Sequence, residues 1–213
     1  MELSPKPVCL QRGRQNGFSI VELLISLAVL LVITTLAVPV VVRSLQSYQL
    51  NSAASQLSGM LKLTKFEAIR QNLPVSCQIQ PQGNGWLVWV DLNGNGTVDP
   101  SEPQMLLAGS FTLLPGGSVP DTSNIASSLG QGSSGVPWTV LPGGATAEWY
   151  EHRGVMCLQS EAVVCTATTP TIYALYVGNP NDPTAGYRAI ITLPSGAVQV
   201  WSATTGGQWA RVS

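Results

Sequence analysis

Apolar residues fall along the chain in three regimes. Residues 18–42, FSIVELLISLAVLLVITTLAVPVVV, are almost continuously apolar, and their only charge is Glu22. A helix of that length reaches roughly 37 Å, enough to cross a hydrocarbon core of about 30 Å with some tilt. From Ser44 to Asn72 the pattern becomes periodic, with Leu50, Ala53, Ala54, Leu57, Leu61, Ala68 and Ile69 at helical spacings. That stripe predicts an amphipathic continuation of the helix, which must lie on a sheet or a partner. Asn72-Leu73-Pro74 ends it, because the residue before a proline is pushed out of the α region. From Val75 onward come short β-type runs broken by Gly, Pro, Asn and Ser. The candidate strands are 75–80, 86–91, 104–108, 110–114, 138–141, 146–151, 154–159, 162–167, 171–177, 187–193 and 197–202, joined mostly as hairpins. The stretch 115–137, rich in Gly and Ser, reads as a mobile surface loop. The expected architecture is α+β, one long N-terminal helix on an antiparallel β-rich domain.

Composition sharpens this picture. Only 10% of the 213 residues are charged, while Gly and Pro number 21 and 15, which suits a turn-rich β domain and disfavours a coiled coil or a disordered tail. The single histidine, His152, removes most His-based catalytic and metal constellations. No nucleophile–base pair is apparent, so an enzyme is not expected.

Ahead of the apolar run, Lys6, Arg12 and Arg14 outweigh Glu2, and such a positive flank stays cytoplasmic while the rest is exported. The run is too long for an ordinary signal peptide, and no A-x-A cleavage site follows it; an uncut signal anchor is the plain alternative. Glu22 breaks that plainness. A lone carboxylate in an apolar helix costs up to about 3 kcal/mol at the helix centre and wants a partner. Pro39, inside the same run, removes a backbone donor and predicts a kink or local unwinding, with Thr34 and Thr35 placed to satisfy freed backbone groups.

The stretch Gly17-Phe18-Ser19-Ile20-Val21-Glu22-Leu23-Leu24-Ile25 resembles the type IV prepilin signature. Prepilin peptidase cuts such chains after the Gly and methylates the new N-terminal Phe. Glu22 stands fifth and Pro39 twenty-second from Phe18, as in that family. The resemblance implies cleavage and methylation at Gly17 and Phe18, and an assembly role for Glu22 and Pro39, with Glu22 neutralising the amine of an adjacent subunit. Residues 65–70, 85–99 and 189–200 also look like the GspH/FimT group of minor pseudopilins and minor pilins. The implied organisation is a leader at 1–17, a transmembrane assembly helix at 18–43, its amphipathic continuation at 44–73, and a β-rich periplasmic domain at 74–213. The implied function is a minor pseudopilin of a type II secretion system or a minor pilin of a type IV pilus. It would be single-pass in the bacterial inner membrane with its N-terminus cytoplasmic, and its partners would be prepilin peptidase and other pilins or pseudopilins.

Two further motifs bear on function. Asp91, Asn93, Asn95, the Thr97 carbonyl, Asp99 and Glu102 fit the twelve-residue calcium-loop spacing, with Gly96 at the sharp turn. The same composition also makes a turn that needs no metal, so calcium and a metal-free turn both stay open, and no other cofactor is indicated. Of the cysteines, Cys9 lies in the leader; Cys157 and Cys165, on neighbouring candidate strands, are the expected disulfide, leaving Cys77 as a thiol. The alternative function is DNA binding, since the resemblance includes FimT-like proteins that take up DNA. Removing the leader leaves 7 basic against 10 acidic residues. After Arg70 only Arg153, Arg188 and Arg211 remain, widely spaced, so a cationic track for phosphates is not expected.

Overall fold

The computed structural model describes residues 19–130, 138–140, 146–160, 164–166 and 172–212. It divides into two compact units, Met1–Val42 and Arg43–Ser213. Helix α1, Ile20–Gln71, passes without a break from one to the other. In the first unit every described residue is exposed, as an apolar helix must be when nothing of its own chain covers it.

Pro39 does not unwind the helix. Its ring leaves the Thr35 carbonyl without a donor, yet the Thr34 and Thr35 hydroxyls do not serve that carbonyl. They donate one turn back, to Leu30 and Leu31 at 2.9 and 3.0 Å and to Leu31 and Val32 at 3.2 and 2.8 Å. A short hydroxyl reaches the carbonyls three and four residues before it, so neither threonine can reach forward to position 35.

In the second unit α1 lays Leu50, Ala53, Ala54, Leu57, Leu61 and Ala68 into the core. Each of the three leucines, at most 1% exposed, contributes about 2 kcal/mol by leaving water. Thr64 continues the buried stripe, while Ile69, expected on it, is 48% exposed. The sequence from Leu61 through Thr64 to Ala68 advances by three and four, which rotates Ile69 off the contact face.

Twelve strands follow: β1 Val75–Gln82, β2 Gly85–Asp91, β3 Gln104–Leu107, β4 Thr112–Leu114, β5 Trp138–Val140, β6 Thr146–Tyr150, β7 Met156–Ser160, β8 Val164–Thr166, β9 Ile172–Gly178, β10 Tyr187–Thr192, β11 Val198–Ala203 and β12 Ala210–Arg211. They form two six-stranded sheets. One has the order β3-β2-β1-β6-β7-β8; the other runs β12-β11-β10-β9-β4, with β5 also pairing β9. Among the described residues all pairings are antiparallel except β5 with β9, which is parallel.

Strand alternation divides the interior. Tyr173, Leu175 and Val177 of β9 join α1, β1 and β2 in one cluster. Ile172, Ala174 and Tyr176 face the other way, against Leu114, Trp201 and Trp209. That second cluster is capped by part of the stretch expected to be a mobile loop. Ser123–Ser128 is a short helix, α2, with Ile125 fully buried, and the Asn124 side-chain amide donates to the Trp209 carbonyl at 2.6 Å. One buried isoleucine and this anchor override the weak helix propensity of a serine-rich segment. The remainder of that stretch, 131–137, lies outside the described residues.

Candidate functional site

The chemistry-bearing residues of the first unit are few. Glu22 stands in the first turn of α1, where a carboxylate is favoured by the unpaired N–H groups of the helix start. Its side chain is exposed and makes no ion pair among the described residues. Ser26 Oγ donates to the Glu22 and Leu23 carbonyls at 2.7 and 3.0 Å, so this serine is satisfied within the helix and leaves the carboxylate unengaged. Around Glu22 the surface is Ile20, Val21, Leu23, Leu24 and Ile25, all more than half exposed. This face can hold a helix against lipid or against other apolar helices and offers Glu22 no cation of its own segment. Gly17 and Phe18 lie outside the described residues.

The loop after β2 is closed by its own hydrogen bonds. Asp91, only 1% exposed, accepts backbone N–H groups from Gly94, Asn95 and Gly96 at 2.8, 3.1 and 2.9 Å. Glu102 accepts from the amides of Leu92 and Asp99 at 2.8 and 3.1 Å. Asn93 and Asn95 turn their amide nitrogens to Asp99, at 2.7 and 3.1 Å, and their oxygens to backbone N–H groups. Asp91, Asp99 and Glu102 are thus each engaged within the loop. Among the described residues no group of three or more His, Cys, Asp or Glu side chains is arranged to hold a metal. These bonds account for the loop as a turn that needs no metal, and both readings from the sequence stay open. Asp91→Ala would strand three backbone donors and is expected to destabilise the domain by about 3 kcal/mol. Chemical denaturation of the detergent-solubilised chain measures this, and the metal-free turn predicts the same melting temperature in EDTA and in millimolar calcium.

Cys157 is disulfide-bonded, while Cys77 is a free, buried thiol. Cys157 stands two positions along β7 from Gln159, which pairs with Cys165 on β8; the side chain of Cys165 lies outside the described residues.

Beside Cys77 is a group the sequence reading missed. Glu148 on β6 pairs directly across from Cys77 on β1 and is fully buried. Tyr150 donates to its Oε2 at 3.4 Å, but Oε1 and the Thr192 hydroxyl oxygen are sealed in without a hydrogen bond. Burial pushes the Glu148 carboxyl up to about 7, opposed in part by the Tyr150 hydroxyl that donates to it. Burial also raises the Cys77 thiol, and the Glu148 charge raises it further. One signal was available in the sequence: Glu148 shares strand parity with the apolar Tyr150, so both had to face the same side.

The aromatic residues that could have stacked on bases are interior. Trp201 and Trp209 are 6% and 3% exposed, and Trp209 packs on Tyr176 with ring centroids 5.7 Å apart. Arg153 is paired with Glu151 at 2.8 Å and Arg188 is buried, which leaves no cationic track joining them to Arg211.

Comparison with known proteins finds the prokaryotic N-terminal methylation motif over residues 12–38. It also finds the type II transport protein GspH over residues 53–148. The chain is therefore similar to prepilin-like proteins at its N-terminus and to GspH over the later part of α1 and the first part of its β-rich region. The chain is 36% identical over 89 residues to the pilin-like protein PilA1 of Thermus thermophilus, a match covering 41% of this chain and 56% of that relative. The chain thus spans about half the length of the curated relative it matches. It also aligns with the crystal structure of the Pseudomonas aeruginosa type IV minor pilin FimU at a TM-score of 0.46 and 15% identity, over 75% of this chain and 96% of that one. The fold is α+β, a long N-terminal helix with largely antiparallel sheets. The apolar helix with its methylation motif points to membrane anchoring.

Proposed function

We propose that the chain is a minor subunit of a type II secretion pseudopilus or a type IV pilus, cut by prepilin peptidase after Gly17 and N-methylated on Phe18. Residues 1–17 are then the leader, 18–43 the assembly helix, 44–73 its continuation and 74–213 the periplasmic domain. Before assembly it is held single-pass in the bacterial inner membrane with its N-terminus cytoplasmic. The observation that carries this reading is the helix over residues 20–42, exposed throughout, predominantly apolar and uncharged apart from one first-turn carboxylate. Such a helix is not stable in water; lipid suits it before assembly and the apolar helices of other subunits suit it afterwards. Glu22 gains by meeting the methylated amine of a neighbour's Phe18, because two charges in apolar surroundings are tolerated only as a pair. The Cys157 disulfide suits an exported domain, and Cys165 is its proposed partner.

The experiment is fractionation of cells carrying the whole assembly machinery. The chain should co-sediment with sheared filaments, or cross-link to other pilin subunits, when prepilin peptidase is present and not when it is absent. Recovery in such complexes without the peptidase would contradict the reading.

A further inference from the structure

Arg188, on β10, is a buried cation with no counterion. It is only 8% exposed, and its guanidinium is held by two neutral acceptors. Nε donates to Asn51 Oδ1 at 2.7 Å and Nη1 to the Tyr187 carbonyl at 2.8 Å. No carboxylate of the described residues forms an ion pair with it, and burial lowers its pKa from the ordinary arginine value. A charge taken out of water without an opposite charge is a standing cost that an anion offsets.

The same guanidinium lines an open pocket of about 400 Å³ together with Arg43, Ser47, Thr184, Ser202 and Thr204. Two arginines and four hydroxyls face that space, and no lining residue is acidic. Asp182 interacts electrostatically with Arg43. Its carboxylate is already engaged by Gln46 Nε2 at 3.0 Å and by the hydroxyl and backbone amide of Thr184 at 2.6 and 3.1 Å. The donor set suits a tetrahedral oxyanion, since guanidinium groups bind phosphate oxygens through paired N–H bonds and hydroxyls supply further donors.

Chain connectivity supplies the source of that anion. Arg43 is the first residue after the apolar run and Ser47 follows one turn later. Arg43 lines the pocket and directly follows Val42 in sequence, so anchoring through residues 18–42 brings this lining residue to the end of the membrane segment, where headgroup phosphates lie. Arg43 alone would be an ordinary basic residue at the membrane surface; the buried, unpaired Arg188 behind it makes a built site. We propose that this pocket seats the phosphate of an anionic phospholipid headgroup in the leaflet that the domain faces. The proposal rests on the membrane-anchored reading above.

The full chain, reconstituted in nanodiscs of phosphatidylcholine or of phosphatidylcholine mixed with phosphatidylglycerol, tests both. Entry of the chain into pure phosphatidylcholine discs tests the anchor; failure to enter would overturn the anchored reading and the lipid site with it. In mixed discs, native mass spectrometry should show phosphatidylglycerol retained over phosphatidylcholine by about tenfold. Arg188→Gln and Arg43→Gln should each remove most of that preference and Lys65→Gln should not. Arg43 is exposed, so its variant keeps the test alive if Arg188→Gln fails to fold. Equal retention of the two lipids, or an equal loss in Lys65→Gln, would overturn the site. Millimolar inorganic phosphate added to phosphatidylcholine discs separates the sources. Stabilisation of the wild type by phosphate, lost in Arg188→Gln and unaccompanied by a lipid preference, would assign the pocket to free phosphate and overturn the headgroup.

Discussion

Replacing Glu22 with alanine is expected to leave the chain inserted and cleaved, yet to reduce its recovery in sheared filaments or cross-linked complexes by more than tenfold. Insertion should not suffer. Removing a carboxylate from an apolar helix makes transfer into lipid easier, by as much as about 3 kcal/mol if the site lies deep. Assembly should suffer, because the carboxylate faces no cation of its own segment and is surrounded by exposed Val21, Leu23 and Ile25. On the proposed reading its partner comes from another subunit. An ion pair in an apolar interface is strongly disrupted when one member is removed, typically by 3–5 kcal/mol, since the remaining amine is left buried and unpaired. A factor of ten corresponds to only about 1.4 kcal/mol, so even partial pairing meets the expectation. Glu22→Gln keeps the shape and a hydrogen-bonding group but not the charge, and should fall between the two. Recovery of Glu22→Ala at the wild-type level would contradict the pairing.

The second large effect is on stability against pH. The Glu148 carboxyl is pushed up to about 7 in the folded domain, against 4.5 ordinarily. The folded state therefore holds this proton more tightly than the unfolded chain does. Stability is greatest at acid pH, falls as pH rises from about 4.5, and levels off above about 7. The total is about 3 kcal/mol, which for a domain of this size lowers the melting temperature by roughly 10 °C. Cys77, directly opposite on β1, together with Tyr150, Tyr173 and the hydroxyls of Thr64 and Thr192, surrounds the group. No cation is among these neighbours to hold the ionised form. In the same window the exposed carboxylates Asp121 and Asp182, held low by their bonds to Ser123 and Thr184, remain ionised and contribute no slope. Thermal melts at pH 4.5 and 7.5 should show the loss, and Glu148→Gln should abolish it. A wild-type melting temperature that stays level or rises over that range would refute the assignment.

Local pattern carried most of the fold and little of the site. The eleven expected strands all appear, with ends shifted by one or two residues, because alternation and turn chemistry are written in adjacent positions. Strand β12 was missed: Ala210–Arg211 has no alternation of its own and pairs only because β11 presents Trp201 and Ser202 beside it. The parallel pairing of β5 with β9 was also illegible, since 34 residues separate Trp138 from its partner Ile172 and nothing local encodes the contact. Arg188 and Glu148 show the same limit for chemistry. Their meaning comes from Asn51 on the helix and Cys77 on β1, residues brought near only by tertiary packing. Glu22, by contrast, was readable at once, because an acid in an unbroken apolar run is unusual whatever surrounds it.

The central claim is that this chain enters a filament through a processed N-terminus. It is tested most directly by mass spectrometry of the N-terminal peptide from membranes of cells expressing the full chain with its prepilin peptidase. The account predicts a peptide that begins with N-methylated Phe18; an intact Met1 start, with the peptidase active on a control substrate, would mark the helix as an uncut signal anchor and contradict it.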